Sequence, residues 1–410
     1  MMDWEQVFAT RAGRMKASEI RELLKLLEQP DIISFAGGIP DAALFPKEAV
    51  TEAYAKVLSG PQANAALQYS VSEGYKPLRD WIVGEMKAIG IDCTAENVLI
   101  TSGSQQVLDY LGKLFLSPKD TALVTWPTYL GALGAFNAYE PTYDRLTPLS
   151  NRAISTYAEA ASAAGGKVKF AYCVPEFSNP TGETMTRQAR EWLLDLATEL
   201  DIAVIEDAAY QALRYDGESV PPVLSLDLAR NGGDINKTRT LYCGSFSKTL
   251  APGLRVGWVV AADHVIKKLV LVKQAADLHS STINQMVIGE VASTVFAPQV
   301  EKVKATYSAR RDRMLAALSR NMPAGVEWTK PEGGMFVWVT LPDGMDGATL
   351  LARAIEKYRI AFVPGKAFHA DGSGSNTLRL SFSCASDEMI DEGMSRLGQL
   401  LKTELVKAAA

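Results

Sequence analysis

The chain has 410 residues and a formal net charge of -5; 47% of its residues are hydrophobic and 22% charged. These proportions exclude a disordered or fibrous chain. Without a long block of Lys or Arg, there is no electrostatic footprint for nucleic acid or an anionic membrane. The length exceeds what one compact core usually holds, so two or more lobes are expected.

Cys93, Cys173, Cys243 and Cys384 lie far apart with no CxxC pair, and His264, His279 and His369 are scattered. Zinc, redox and Ser/His/Asp chemistry therefore lack a local signature, and no metal site is expected. Reduced thiols in a cytoplasmic protein fit better than a disulfide framework. The opening MMDWEQVFATRAGRMK carries acidic residues and no apolar segment, so it does not read as a secretory signal. No apolar run approaches the ~18 residues needed to span a bilayer.

In ASEIRELLKLLEQP, Ile20, Leu23, Leu24 and Leu27 recur at helical spacing, and Pro30 marks the stop. An extended arm follows, in which the two glycines of Phe35-Ala-Gly-Gly-Ile-Pro40 permit close backbone approach. From about residue 97, short apolar runs alternate with helical patterns: NVLIT (97–101), TALVTW (121–126), VKFAYCV (168–174), IAVIED (202–207), RTLYCG (239–244) and VGWVVA (256–261). Strands apolar throughout and separated by helices argue for a largely parallel sheet covered on both faces. The last two runs are joined by a loop with no helix-length segment of its own, so this pair is the candidate exception to parallel order. A helical stretch from about 285 to Asn321 leads into a smaller α+β pattern. Its strands are expected in GGMFVWVTL, IAFVPG and NTLRLSFS, with a terminal helix over 385–407. The expected organisation is an N-terminal helix and arm over 1–45, a large domain over 46–290 and a small domain over 291–410.

Chemistry-bearing residues gather at the predicted strand ends, where open α/β sheets bind ligands. The most specific segment is Ser245-Phe-Ser-Lys248-Thr-Leu-Ala-Pro-Gly-Leu-Arg255-Val-Gly257. A lysine after a buried strand, flanked by Ser245 and Ser247 and followed by Arg255, has the parts needed to hold pyridoxal 5'-phosphate (PLP). The amine can form a Schiff base, while hydroxyls and guanidinium bind phosphate. A lone SxSK would more simply be a solvated loop lysine; the whole segment in this context would not. Asp207 closes IAVIED and could stabilise a protonated pyridine nitrogen, and Tyr210 could hydrogen-bond the ring phenolate. A helix cap or a buried salt bridge is the plain alternative for Asp207. Glu206 is a rival that strand alternation turns to the other face.

Asn179-Pro-Thr-Gly182 specifies a tight turn that leaves the Asn179 amide free to meet a ligand. Ser102-Gly-Ser104-Gln105 opens a helix whose amides and dipole suit an anion, although ordinary capping explains it equally well alone. Tyr129 could stack on the pyridine ring, or simply be core. In Thr377-Leu-Arg-Leu-Ser-Phe-Ser383, Leu378, Leu380 and Phe382 face a core and Arg379 shares the opposite face with Ser381 and Ser383. A guanidinium there is a natural bidentate partner for a substrate α-carboxylate; a rim salt bridge is the alternative.

In order and spacing, these segments from Phe35 to about Ser383 resemble the class I/II aminotransferases of PLP fold type I. The resemblance implies an α/β large domain with a mostly parallel seven-stranded sheet between helices, plus a smaller α+β domain. It implies Lys248 as the Schiff-base lysine and proton shuttle, Asp207 on the pyridinium, and Asn179 and Tyr210 on the phenolate oxygen. Ser104, Gln105, Ser245, Ser247 and Arg255 would surround the phosphate, and Arg379 would hold the α-carboxylate. Amino acids and 2-oxo acids would be the substrates. Such enzymes are homodimers with sites at the interface, and Tyr69 resembles the tyrosine that reaches the neighbouring subunit's phosphate. FAGGIPDAALFP and the helix before it look most like the 2-aminoadipate/kynurenine aminotransferase branch. There Arg21 would meet a distal carboxylate and Gly38 would lie near the α-carboxylate.

Two rival readings share these parts. A PLP lyase or decarboxylase uses the same lysine and phosphate cradle, but a held carboxylate on Arg379 is not the bond to be broken. A PLP-binding regulatory sensor would need a basic DNA-binding module, and only about thirty residues precede Phe35.

Overall fold

The computed structural model describes residues 2–15 and 31–409. The expected helix around Ile20, Leu23, Leu24 and Leu27, and Arg21 with it, lies outside the described residues. Each apolar run of the large domain forms a strand: β2 is Val98–Thr101, β3 Thr121–Val124, β5 Val168–Cys173, β6 Ala203–Asp207, β7 Thr240–Ser245 and β8 Gly257–Val260. With β4, Thr142–Arg145, they make a seven-stranded sheet in the order β2-β8-β7-β6-β5-β3-β4. Strand β8 runs antiparallel to both β7 and β2, as the short connection before it requires, and the remaining pairings are parallel. Strand β4 escaped the sequence reading because Thr142-Tyr-Asp-Arg145 is an edge, only partly buried and poor in apolar side chains.

The central strands are apolar on both faces because both faces are covered. On one face Phe170, Tyr172, Ile205, Leu241 and Cys243 join a core that includes Val107, Leu111 and Phe136. On the other, Ala171, Cys173 and Val204 pack with Leu193, Leu194 and Leu196 of the helix Arg187–Glu199. The seam between the two faces separates Asp207 from Glu206. The latter accepts from the backbone amides of Val223 and Leu224 at 2.8 and 2.9 Å, at the start of the helix Val223–Arg230. A buried carboxylate fully committed to a helix N-terminus is structural.

The 40-residue helix Thr282–Asn321 carries Pro298 within it. Its first half contributes Met286, Val287, Ile288 and Val291 to a core with Val98 and Trp258; its second half packs Val303, Met314 and Leu318 with the smaller sheet. That sheet has the order β12-β13-β10-β9, with β9 Glu327–Trp328, β10 Phe336–Thr340, β12 Val363–Pro364 and β13 Thr377–Ser381. The segment IAFVPG, expected as one strand, divides in two. Its first residues, β11 Ile360–Ala361, pair in parallel with β1 Ile33–Ser34 of the arm, and Val363–Pro364 pairs with β13. This split delivers the arm to the edge of the site. The terminal helix spans Asp387–Ala409. Among the described residues no helix is long and apolar enough to cross a membrane.

Candidate active site

Parallel strands that end together bring their following loops together, and that edge collects the predicted side chains. Asp207 ends β6, Lys248 follows β7, Asn179 follows β5, Tyr129 follows β3, and Ser104 begins the helix Ser104–Phe115 after β2. Because β8 is antiparallel, its start at Gly257 brings Arg255 to this same edge.

Asp207 is 4% exposed and accepts from the Tyr172 hydroxyl at 2.8 Å and from the Ala209 amide at 3.4 Å. Burial pushes its carboxyl up to about 6, with Tyr172, Ala209 and the Lys248 charge pulling the other way. A carboxylate so placed, with no salt bridge among the described residues, suits a protonated ring nitrogen. Lys248 donates to the Gly38 carbonyl at 3.1 Å, and its amine lies 5.7 Å from the centre of the Tyr210 ring. Burial, with the Arg379 charge next, lowers the amine to about 8, where an uncharged fraction is present at neutral pH.

Tyr210 and Asn179 meet directly, the Asn179 Nδ2 donating to the Tyr210 hydroxyl at 3.3 Å. Arg379 comes from the other sheet, where β13 pairs antiparallel with β10 and β12. The strand reading placed it on a partly enclosed face; it is 2% exposed. Its Nη1 donates to Asn179 Oδ1 and its Nη2 to the Ala36 carbonyl, both at 2.8 Å. The guanidinium lies between the rings of Phe336 and Phe368, at 4.4 and 5.1 Å from their centres. Its Nε is buried and has no hydrogen-bond partner among the described residues. An arginine held by stacking, with a buried donor still unused, has the chemistry to meet a planar anion. Gly38 lies against it: a Cβ there would sit 3.2 Å from Phe336 Cζ and 3.6 Å from Arg379 Nη1.

Backbone amides and the Arg255 guanidinium gather where the start of β8 meets the helix Ser104–Phe115. Gly103 precedes the helix with φ +84°, and a Cβ on it would lie 2.3 Å from Arg255 Nη2. Arg255 itself is left-handed (φ 53°) and donates to Ser102 O at 3.3 Å. A Cβ on Gly257 would fall 2.6 Å from the Ser104 nitrogen, so glycine at both positions lets guanidinium, strand and helix start converge. First-turn amides have no acceptor inside a helix. The Ser247 amide donates to Ser245 Oγ at 3.1 Å. The Gln105 side chain turns to the Gly131 carbonyl at 2.7 Å, with the Tyr129 hydroxyl 3.5 Å from its oxygen. Burial raises the Tyr129 phenol to about 12, so it stays neutral at physiological pH. Tyr69 stands apart, 78% exposed, its ring T-shaped against His279 at 5.8 Å.

Sequence reasoning missed Tyr172, Phe336, Phe368 and the Ala36 carbonyl. The Tyr172 signal was present: a tyrosine inside a fully buried strand needs a partner for its hydroxyl. The others depend on which elements the small sheet brings opposite Arg379. The donor set fits PLP: a buried acid for the ring nitrogen, an amine of lowered basicity, and a cluster of hydroxyl, amide and guanidinium groups for a phosphate.

Residues 30–397 match the family model of aminotransferase class I and II. An aromatic-amino-acid aminotransferase from Thermococcus litoralis is 42% identical over 413 residues, covering 99% of this chain and 96% of the relative. The crystal structure of Pyrococcus horikoshii kynurenine aminotransferase, in complex with PMP, superposes with TM-score 0.89 at 43% identity and covers 98% of both chains. That of alpha-aminoadipate aminotransferase from Thermus thermophilus, complexed with N-(5'-phosphopyridoxyl)-L-leucine, gives TM-score 0.86 at 41% identity, covering 99% of this chain and 100% of that one. The chain belongs to the class I and II aminotransferases, PLP-dependent transferases of fold type I.

Proposed function

We propose that the enzyme moves the amino group of an L-amino acid with an aromatic, branched or aminoadipate side chain to a 2-oxo acid such as 2-oxoglutarate, in a ping-pong sequence. The observation that carries this reading is the gathering of Lys248, Asp207 and Arg379 at one edge, with Arg379 bonded through Asn179 to Tyr210 and the Lys248 amine 5.7 Å from the Tyr210 ring. The names of the relatives above, which cover aromatic amino acids, kynurenine and aminoadipate, support this range of side chains.

PLP supplies an electron sink for the bond broken at the substrate Cα. The chain supplies the rest. Ser245, Ser247, Arg255 and the amides of Ser104 and Gln105 would hold the phosphate. Asp207 would keep a proton on the ring nitrogen, while the Tyr210 hydroxyl and Asn179 amide would meet the phenolate oxygen. Arg379 takes the α-carboxylate and so keeps that bond out of the reaction. In its uncharged form the Lys248 amine would take the proton from the substrate Cα and hold it for return. The arm lies against the lysine, with the Gly38 carbonyl accepting from its amine.

The division into an arm over 1–45, a large domain over 46–290 and a small one over 291–410 accords with this reading, since Arg379 and Lys248 then face each other across the two larger parts. Exposed Tyr69 supports a homodimer in which each copy completes the other's phosphate site, testable by sedimentation and by PLP affinity of Tyr69→Phe. The free cysteines accord with a reducing, cytoplasmic setting. The decisive experiment is the visible spectrum on adding L-2-aminoadipate, then 2-oxoglutarate. Bleaching and recovery of the cofactor band is expected; a band unmoved by aminoadipate, aromatic and branched donors alike would overturn the proposal.

A further inference from the structure

The Tyr172 hydroxyl donates to Asp207 Oδ2 at 2.8 Å, with Tyr172 wholly buried and Asp207 4% exposed. Register pairs Tyr172 with Ile205, so the hydroxyl reaches diagonally from β5 to the end of β6. The ring cannot swing away: Phe136 packs against it edge-on at 5.7 Å. A tyrosine spending its one donor on a buried carboxylate changes that carboxylate's basicity as well as its aim.

We propose that Tyr172 is a positioning residue for the reaction, holding Asp207 ionised and oriented so that the proton between carboxylate and ring nitrogen stays on the nitrogen. This rests on the reading of Asp207 as the ring-nitrogen partner. A proton shared by two bases sits on the more basic one. Burial makes Asp207 more basic, and a donated hydrogen bond opposes that. Few other groups near Asp207 can take this part. Cys173, Cys243 and Tyr129 all have raised thiol or phenol values and remain neutral, adding no countercharge. The Ala209 amide is longer, at 3.4 Å on the other oxygen, and Lys248 attracts Asp207 only while protonated. Removing the Tyr172 hydroxyl would move the proton toward Asp207 and weaken the electron sink without touching substrate.

The test is ¹⁵N NMR of holoenzyme reconstituted with ring-¹⁵N PLP, comparing wild type, Tyr172→Phe and Asp207→Asn. The expected result for Tyr172→Phe is a ring-nitrogen resonance displaced toward the unprotonated position. With it, kcat should fall about tenfold, the size of one hydrogen bond to a charged group, with KM little changed. Phenylalanine preserves the packing; should that variant not fold, 3-fluorotyrosine at 172 is a stronger donor and should displace the resonance the opposite way. A wild-type resonance in the position-172 variant alongside a displaced one in Asp207→Asn overturns the inference and leaves Asp207 in its role. Both unmoved overturns the role of Asp207 as well.

Discussion

Arg379 Nη1 donates to Asn179 Oδ1 at 2.8 Å, joining side chains 200 positions apart in the sequence. Asn179 thereby faces two ways, its Nδ2 on the Tyr210 hydroxyl and its oxygen on the guanidinium. The group assigned to the substrate carboxylate and the group assigned to the cofactor phenolate are thus one hydrogen-bonded chain. Arg379→Ala should weaken amino-acid binding by about 2 kcal/mol or more, the cost of losing a buried charged partner. Spectral titration with substrate measures it, and unchanged affinity would place the carboxylate elsewhere. Arg379→Lys should recover little, because an ammonium cannot reproduce the stacked, forked geometry between Phe336 and Phe368.

Lys248→Ala should abolish steady-state transamination in a protein that still folds. Retained turnover, with native circular dichroism, would remove the lysine from its role.

The lowered Lys248 amine makes a kinetic prediction for cofactor-free enzyme. Only the uncharged amine attacks an aldehyde. The rate of PLP incorporation should therefore rise with pH through a midpoint near 8, where this amine titrates, rather than near the usual lysine value. Stopped-flow absorbance reads it directly.

Asp207 should cost the cofactor-free protein stability at neutral pH. Its folded value, about 6, lies above the ordinary carboxyl value, so between about 4 and 6 the folded state binds more protons than the unfolded one. Stability from this group is present at acid pH and is lost as pH rises through 6. Asp207→Asn should accordingly raise Tm of the cofactor-free protein at pH 8 relative to wild type, with a smaller difference at pH 4. Equal differences at both values would contradict the assignment.

The arm over Lys248 has its own fastening. Arg310 donates to Asp41 Oδ2 at 2.8 Å and also bonds the Ser383 carbonyl, while Tyr307 accepts no part of the charge but receives the Asp41 amide at 2.9 Å. Both ionic side chains are mostly buried, 17% and 16% exposed. Arg310→Ala leaves Asp41 unpaired, so a loss of roughly 1–3 kcal/mol in urea denaturation is expected, below the value for a fully buried pair. KM should rise as Gly38 loosens.

Much of the candidate site was legible in the sequence because its signals are local. A lysine between two serines after an apolar strand, an acid at a strand end, and an Asn-Pro-Thr-Gly turn are each written within a few residues. Alternation alone sent Glu206 and Asp207 to opposite faces, and the structure places Glu206 on helix amides. The short connection before β8 likewise announced its reversed direction. Strand β4 was not legible, since an edge strand with one wet face carries little apolar pattern.

Tertiary structure decided the rest. The sequence by itself determined that the candidate side chains follow buried strands, because periodicity and turn residues act over short range. It could not determine that Tyr172 spends its hydroxyl on Asp207, that Phe336 and Phe368 enclose Arg379, or that the arm's Gly38 meets Lys248. Those contacts join segments far apart in the chain, and they are selected by strand order and by close packing of the two sheets, which no local pattern encodes.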